Sequence, residues 1–314
     1  MTAQMTGPPA TLLGPVRRTV TGRDAMTAAR PRGYAPDSGL STDSMVERDL
    51  AITAVSSLPA VVRPTAFSAA ALVGQDELVA DLRVFATEND LDVFFHALDL
   101  DPCGTDRPDP GVLRTIADYA RELGSPWITT DLAMWVRQGE KLVESLVPIP
   151  LLASVVGYVA DRIKHIQDVT QMLVVGENPP YEYAVGNEDI LDLMAAIAER
   201  ADCALCLDVG HLHMLRLQRG AEIRREADAD LPWHRFVEMH ISGVAPRDCI
   251  GGIVIADQHR WPISDELWET FDYLLPQLTH CVTCIAESEG MASADLTSKL
   301  QAMHGHLAAA GAGR

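Results

Sequence analysis

The stretch "LVVGENPPYEYAVGNEDILDLMAAIAERADCALCLDVGH", residues 173–211, joins an apolar run, a segment with helical spacing and a second apolar run. The two apolar runs are typical of buried strands, and the segment 187–201 is predicted to be a helix opened by a cap at Asn187. The strands end in Glu177 and Asp208, and His211 follows the second strand. A strand, a helix and another strand in this order predict two parallel strands joined by a crossover helix.

The same alternation extends along most of the chain and predicts the fold class. Further strands are predicted at 51–56, near 66–73, at 91–100, from about 126, at 235–242 and at 281–290, and helices at 76–90, 109–124 (capped by Asp109), 151–166, 264–278 and 293–311. The strand count is close to that of a (β/α)8 barrel, and the first predicted strand lacks the glycine-rich loop of a nucleotide-binding open sheet. We therefore expect an α/β protein with a TIM-like (β/α)8 barrel of parallel strands and outer helices.

The N-terminal segment has a different composition from the rest. Residues 1–45 are rich in Thr, Ala, Pro, Gly and Arg and show no sustained hydrophobic period. We expect a flexible N-terminal tail over residues 1–45 and a single TIM-like metal-binding barrel over residues 46–314.

Charge and hydropathy exclude several classes of partner. The formal net charge is −19, and the last two thirds of the chain have no block rich in Lys and Arg. Nucleic acids and anionic membranes bind through clustered cations, and no apolar run is long enough to span a bilayer. There is also no recognisable secretory signal. We therefore expect a cytoplasmic protein that binds neither nucleic acid nor a membrane.

Two C-x-x-C pairs, Cys203/Cys206 and Cys281/Cys284, have a spacing found in zinc sites. Each pair lies in or beside a predicted strand, where residues three apart point to opposite faces and cannot bind one ion. We expect these cysteines to be buried, reduced thiols.

Acidic residues and histidines recur at the ends of the predicted strands. A single one of them is usually a helix cap or a satisfied core residue, but the carboxyl ends of barrel strands all meet at one face. Six candidates lie at the ends of predicted strands: His96, Asp131, Glu177, Asp208, His240 and Glu287. Asp257 and His259 follow in the loop after the seventh strand, and His211 follows Asp208. Clustered charges need a counter-charge, and carboxylates mixed with imidazoles suit iron, manganese or zinc. More than four candidate ligands indicate two or three metal ions.

Short motifs around these residues resemble those of a known family. They are "HALDL", "TTDLAMW", "ENPPYEY", "CLDVGHLH", "EMHISGV", "DQHRWPI" and "IAESE", in this order between about residues 90 and 290. This series resembles the multinuclear non-haem iron-dependent oxidative enzymes, the group of MbnB and TglH in peptide natural-product biosynthesis.

The resemblance implies an oxidoreductase that uses dioxygen to modify a side chain, often cysteine, of a ribosomally synthesised precursor peptide (RiPP). It also implies a small partner protein that presents the peptide, and two or three iron ions (Fe2+/Fe3+) as cofactor. The residues that it carries over as iron ligands are His96, Glu177, Asp208, His240, Asp257, His259 and Glu287. Of the ligands, we expect Glu177, Asp208 and His240 to be required for catalysis.

The chain departs from the family motifs at several positions. A Glu-His pair of the family is Thr130-Asp131 here, an Asn-Asn pair is Gly210-His211, and a second histidine is Val244. Asp131 and His211 are therefore candidate replacement ligands. Two other functions stay open at this point: a divalent-metal sugar isomerase or epimerase on the same barrel, and a degenerate, non-catalytic paralogue that binds a peptide. A related DNA-repair endonuclease is disfavoured by the acidic charge.

Overall fold

Parallel strands form a closed barrel in this protein. The structure is a computed structural model, and it describes residues 37–42, 64–137, 140–141, 146–249, 252–288 and 291–312. The eight barrel strands are β1 (Asp37–Thr42), β2 (Ala66–Ala71), β3 (Asp92–Ala97), β4 (Trp127–Asp131), β5 (Leu173–Glu177), β6 (Ala204–Asp208), β7 (Phe236–Ile241) and β8 (Thr283–Ala286). Each strand pairs with its neighbours in the sequence, and β8 closes the barrel against β1. The predicted TIM-like barrel is confirmed.

Seven helices accompany the strands. They are α1 (Asp76–Glu88), α2 (Pro110–Leu123), α3 (Val155–Thr170), α4 (Ile190–Ala201), α5 (Val209–Gln218), α6 (Asp265–Leu274) and α7 (Ser293–Ala312) among the described residues. Asp109 caps α2 as predicted, because its carboxylate accepts hydrogen bonds from the amides of Gly111 and Val112. The predicted cap of α4 at Asn187 is wrong: Asp189 caps that helix by accepting from the amide of Leu191. No described helix is long and apolar enough to cross a membrane.

The first barrel strand corrects the expected extent of the N-terminal tail. Residues 37–42 pair with β8 on one side and β2 on the other, although the composition of residues 1–45 predicted a tail outside the fold. The strand predicted at 51–56 lies outside the described residues. A short strand with glycine, serine and threonine shows little hydrophobic pattern, so its place depends on the two neighbours that flank it.

Two of the elements that were not predicted lie next to the candidate site. Helix α5 begins at Val209, directly after β6. A two-stranded antiparallel hairpin, Val244–Cys249 with Gly252–Asp257, follows β7 and is called the hairpin below. Both elements position residues of the candidate site.

The barrel interior is filled by apolar side chains in its lower part. The cluster consists of Ala66, Phe94, Trp127, Leu173, Val175, Ala204, Cys206, Val237, Val282 and Ile285. Along β3, β5 and β6 the next inward-facing residue after this cluster is His96, Glu177 and Asp208, because side chains alternate along a strand. All four cysteines of the C-x-x-C pairs are free and buried, as expected.

Candidate metal centre

The predicted ligands gather at the carboxyl ends of the barrel strands. Each of them has an imidazole or carboxylate atom within ion-pair distance of another member, and the network is His96, Asp131, Glu177, Asp208, His211, His240, Asp257, His259 and Glu287. The structure therefore brings all nine predicted site residues together, although they are spread over nearly 200 positions of the chain.

Glu177, at the end of β5, lies at the centre of this network and is almost fully buried. Its Oε1 is 3.1 Å from His240 Nδ1, and its Oε2 is 3.1 Å from His96 Nε2. His96 Nε2 is also 3.8 Å from Asp131 Oδ2. One carboxylate thus connects the ends of β3, β5 and β7.

Asp208 and His211 form the adjoining part of the site through the start of α5. Asp208 is the N-cap of this helix, and its Oδ1 accepts a hydrogen bond of 2.6 Å from the amide of His211. His211 Nδ1 is 2.8 Å from the carbonyl oxygen of Asn178, which makes Nδ1 the protonated nitrogen. His211 Nε2 then faces Asp257 Oδ2 at 3.4 Å, so His211 points into the site rather than to solvent.

The hairpin and the segment after β8 complete the site on its more exposed side. Asp257, the last residue of the hairpin, has Oδ2 at 2.8 Å from His259 Nε2. His259 Nε2 is 3.4 Å from Glu287 Oε2, and Glu287 Oε1 is 3.2 Å from His240 Nδ1. The side chain of His259 is 25% exposed, whereas that of His240 is 1% exposed. The open side of the site is therefore the side of Asp257, His259 and Glu287.

Four overlapping groups of residues in the described part of the chain have ligand atoms close enough to hold a metal ion. The groups are Glu177 with Asp208, His240 and Glu287; Asp131 with Glu177 and His211; His211 with Asp257 and Glu287; and Glu177 with Cys206 and His240. His96 and His259 belong to none of these groups and adjoin them through ion-pair contacts. Shared members such as Glu177 and Glu287 make the groups one continuous centre.

Burial and mutual repulsion perturb the titration of the carboxylates. Burial, together with the negative charges of Glu287, Glu177 and Asp257, raises the pKa of Asp208 to about 8 against the pull of His211. Burial and Glu177 likewise raise the pKa of Asp131 to about 6. Among the described residues, the neighbouring histidines do not offset burial and repulsion at these two carboxyl groups.

The close approach of opposite charges favours the charged forms of Glu177 and His96. Burial opposes the charged form of Glu177, but His240 and His96 hold the pKa of its carboxyl well below its usual range. Burial would lower the pKa of His96, but Glu177 and Asp131 raise it to about 9. Histidines are the cationic partners of the site carboxylates in the described part of the chain.

The donor set fits metal ions. The Oδ2 atom of Asp208 is buried and has no hydrogen-bond partner among the described residues. Buried polar atoms are normally paired, and a carboxylate oxygen without a donor is a position for a cation. Carboxylate oxygens mixed with imidazole nitrogens suit iron, manganese or zinc.

Three residues of the site were missed by sequence reasoning. Glu238 lies two positions before His240 on β7, and the alternation of strand side chains could have placed it on the same face. Cys206 lies two positions before Asp208 on β6. The side-chain amide of Asn178 makes two hydrogen bonds with the backbone of Asp208, at 2.8 and 2.9 Å, and so holds the ends of β5 and β6 together.

The structure shows what surrounds the positions at and near which this chain departs from the family motifs. A Cβ atom on Gly210 would lie 2.5 Å from Ser242 Oγ and 3.0 Å from the Ser242 carbonyl oxygen, so the asparagine of the family motif would require Ser242 to shift. Val244, which occupies the position of the missing histidine, is paired with Asp257 across the hairpin. His213, the second histidine after Asp208, turns away from the site, with Nδ1 3.2 Å from Thr270 Oγ1 on α6.

Fold and site together define a TIM barrel with a carboxylate–histidine centre suited to more than one metal ion. The chain belongs to the family described as RiPP precursor modification enzymes MbnB/TglH/ChrH, whose model matches residues 72–304. The resemblance drawn from the short motifs is thereby confirmed.

Individual relatives agree with this assignment. A UPF0276 protein of Pseudomonas aeruginosa strain UCBPP-PA14 is 28% identical over 61% of this chain, and one of Acaryochloris marina is 27% identical over 54%. The aligned parts cover 63% and 61% of those relatives, less than two thirds of their length.

Solved structures of other proteins share the fold. An L-ribulose 3-epimerase has a TM-score of 0.55 at 12% identity, over 87% of this chain and 92% of that one. A D-psicose 3-epimerase from Clostridium cellulolyticum H10 has a TM-score of 0.51 at 10% identity, over 87% and 96%. At such identities the likeness concerns the barrel fold alone.

Proposed function

We propose that this protein is an iron- and dioxygen-dependent enzyme that oxidatively modifies a side chain, often cysteine, of a ribosomally synthesised precursor peptide. Membership of the MbnB/TglH/ChrH family supports the peptide substrate. The proposed cofactor is two or three iron ions, and a small partner protein is proposed to present the peptide.

The observation that carries the proposal is the set of overlapping ligand groups at the strand ends. Glu177 and Glu287 each belong to more than one group, so neighbouring ions would share carboxylates. Shared carboxylates with separate imidazoles are a donor set for several hard or borderline ions.

The protein's own residues divide into holding and orienting roles. Glu177, Asp208 and His240 lie deepest and would hold the ions, while Asn178 orients Asp208 and His211 by hydrogen bonds. Asp131 and His211 would act as ligands in place of the family residues. When bound, iron supplies the one-electron and dioxygen chemistry.

Substrate access follows from the exposure of the ligands. Asp257, His259 and Glu287 are the more exposed members, at 14%, 25% and 14% of their side chains. A peptide side chain would approach from this side, over the end of the hairpin. The apolar cluster beneath the site closes the barrel from the other direction.

The test combines metal analysis with turnover. Protein purified anaerobically and loaded with Fe2+ should contain at least two iron ions per chain, and should consume dioxygen when mixed with a short Cys-bearing peptide encoded beside its gene. Mass spectrometry of the peptide should show the modification, and Glu177→Ala protein should show neither result.

Other outcomes would replace the proposal. Epimerisation of a ketose with Mn2+, without dioxygen consumption, would identify a sugar epimerase. Less than about one metal ion per chain after reconstitution would identify a non-catalytic peptide-binding paralogue.

A further inference from the structure

Glu238 is a fully buried carboxylate directly beneath the candidate metal centre. It lies on β7 and has no exposed surface. Its Oε2 accepts hydrogen bonds from Trp127 Nε1 at 2.9 Å and from Thr129 Oγ1 at 2.6 Å. Its Oε1 is 3.0 Å from His240 Nε2.

Trp127 determines how this carboxylate is oriented. An indole nitrogen can only donate a hydrogen bond, so the atom that faces Trp127 must be an acceptor. Thr129 can donate or accept and adapts to either partner. With Oε2 engaged by these two residues, Oε1 of Glu238 is directed at His240.

A carboxylate oxygen at this position requires a proton on His240 Nε2. Neutral imidazole has one protonated nitrogen, so Nδ1 then carries the lone pair. Nδ1 is the atom that faces Glu177 Oε1 at 3.1 Å and Glu287 Oε1 at 3.2 Å, inside the ligand group. Glu238 itself belongs to no group of ligand atoms among the described residues.

We propose that Glu238 is a positioning residue that sets the tautomer of His240, so that Nδ1 binds metal, and that Trp127 fixes Glu238 in this role. This inference rests on the proposed metal centre, but not on the reaction that the centre performs. Outer partners of ligating histidines commonly contribute about 10- to 100-fold to metal affinity.

Glu238→Gln tests the inference because it preserves shape and changes only the hydrogen-bond pattern. Trp127 would hold the amide oxygen of Gln at the former Oε2 position, so the NH2 group would face His240 Nε2. His240 would then have to accept at Nε2 and carry its proton on Nδ1. We expect about 10- to 100-fold weaker binding at one metal position in anaerobic Fe2+ titration, and a changed visible spectrum with Co2+ as probe.

Two further variants separate this effect from a general disturbance of the core. Thr129→Val removes one hydrogen bond to Glu238 but leaves the carboxylate on His240, so metal binding should stay near wild type. Trp127→Phe in the Glu238→Gln background frees the amide to turn its oxygen towards His240, and should restore part of the lost affinity and the wild-type Co2+ spectrum.

Several results would overturn the inference. Equal metal affinity and spectrum in Glu238→Gln and wild type would do so, as would an equal loss in Thr129→Val. Loss of cooperative thermal unfolding in Glu238→Gln would mean that Glu238 is a structural group. Wild-type protein that binds iron with the expected dependence on Glu238, but does not consume dioxygen, would contradict the proposed function and leave this inference standing.

Discussion

Two buried aspartates, Asp208 and Asp228, have no exposed surface, yet the protein surrounds them differently. Asp228 contacts Arg216 through hydrogen bonds of 3.0 and 3.1 Å and Arg225 through an ion pair of 3.0 Å. Asp208 has one histidine at 3.7 Å, and its Oδ2 has no hydrogen-bond partner. One carboxylate is neutralised by the chain itself, whereas the other is not.

The difference separates a structural cluster from the proposed metal centre. Arg216 and Arg225 also contact Asp189, the cap of α4, so the Asp228 cluster fastens α5 to the start of α4. The carboxylates around Asp208 are partnered by histidines, a residue type that can also bind metal. Among the described residues, guanidinium groups neutralise Asp228 but none is paired with Asp208, and we propose that external cations take that place.

The largest expected effect is on the metal centre. Glu177→Ala removes the carboxylate shared by three of the four ligand groups, and His240→Ala removes the imidazole beside it. We expect both variants to lose activity entirely and to bind metal more than about 100-fold more weakly, since even outer partners of ligands contribute up to that amount. Metal analysis and turnover are the measurements.

Glu199→Ala, on the exposed side of α4, is the matched control and should behave as wild type. The barrel core lies below the site, so both site variants should still unfold cooperatively. Loss of cooperative unfolding in both would make Glu177 and His240 structural residues and erase the contrast between the two clusters.

The second prediction concerns the arginine-bound cluster. Asp228→Ala leaves Arg216 buried without its carboxylate, and we expect the free energy of unfolding to fall by about 3–5 kcal/mol. Metal content per folded chain should not change. Urea unfolding measures the stability of the variant, and metal analysis of the same sample measures its metal content. A loss of metal without a loss of stability would mean that the Asp228 cluster binds metal and is not structural.

The third prediction uses the pH dependence of the metal-free protein. The pKa of His96 is raised from 6.5 to about 9, so its stabilising contribution is complete below the lower value and is lost as pH rises through the higher one. The pKa of Asp208 is raised from 3.8 to about 8, so the folded state also binds more protons than the unfolded state over this range. Chelated protein should therefore be less stable at about pH 9 than at about pH 6.

Bound metal should reverse this trend, because cations replace the protons that the site otherwise requires. Urea unfolding at both pH values measures how the free energy of unfolding changes with pH. It is carried out once with a chelator and once with Fe2+ under argon. Chelated protein that gains stability with rising pH would show that the site is not short of positive charge.

The smallest expected effect is at His211. An amide oxygen is a weaker ligand than an imidazole for iron, so His211→Asn should weaken one metal position by about tenfold or less. His213→Asn, on the same helix but outside the site, is the control. Unchanged iron content and spectrum in His211→Asn would remove His211 from the ligand set.

Much of the fold could be predicted because barrel strands and helices have local signatures. The run ending at Glu177 and the helix capped by Asp109 follow from hydrophobic period and capping chemistry, and both were located within a few residues. The strand at 37–42 could not be predicted in this way. It has only weak hydrophobic character, and its partners are distant in sequence.

The sequence by itself determined the barrel class, the family and the identity of the predicted ligands. Strand ends can be recognised locally, and parallel strands must meet at one face. Only the tertiary structure decided which atoms face each other: that His211 turns Nδ1 to the carbonyl of Asn178 and Nε2 to Asp257, and that Glu238 lies beneath His240. Such contacts depend on register and packing: alternation along β7 puts Glu238 and His240 on one face, but a linear pattern does not show which of their atoms meet.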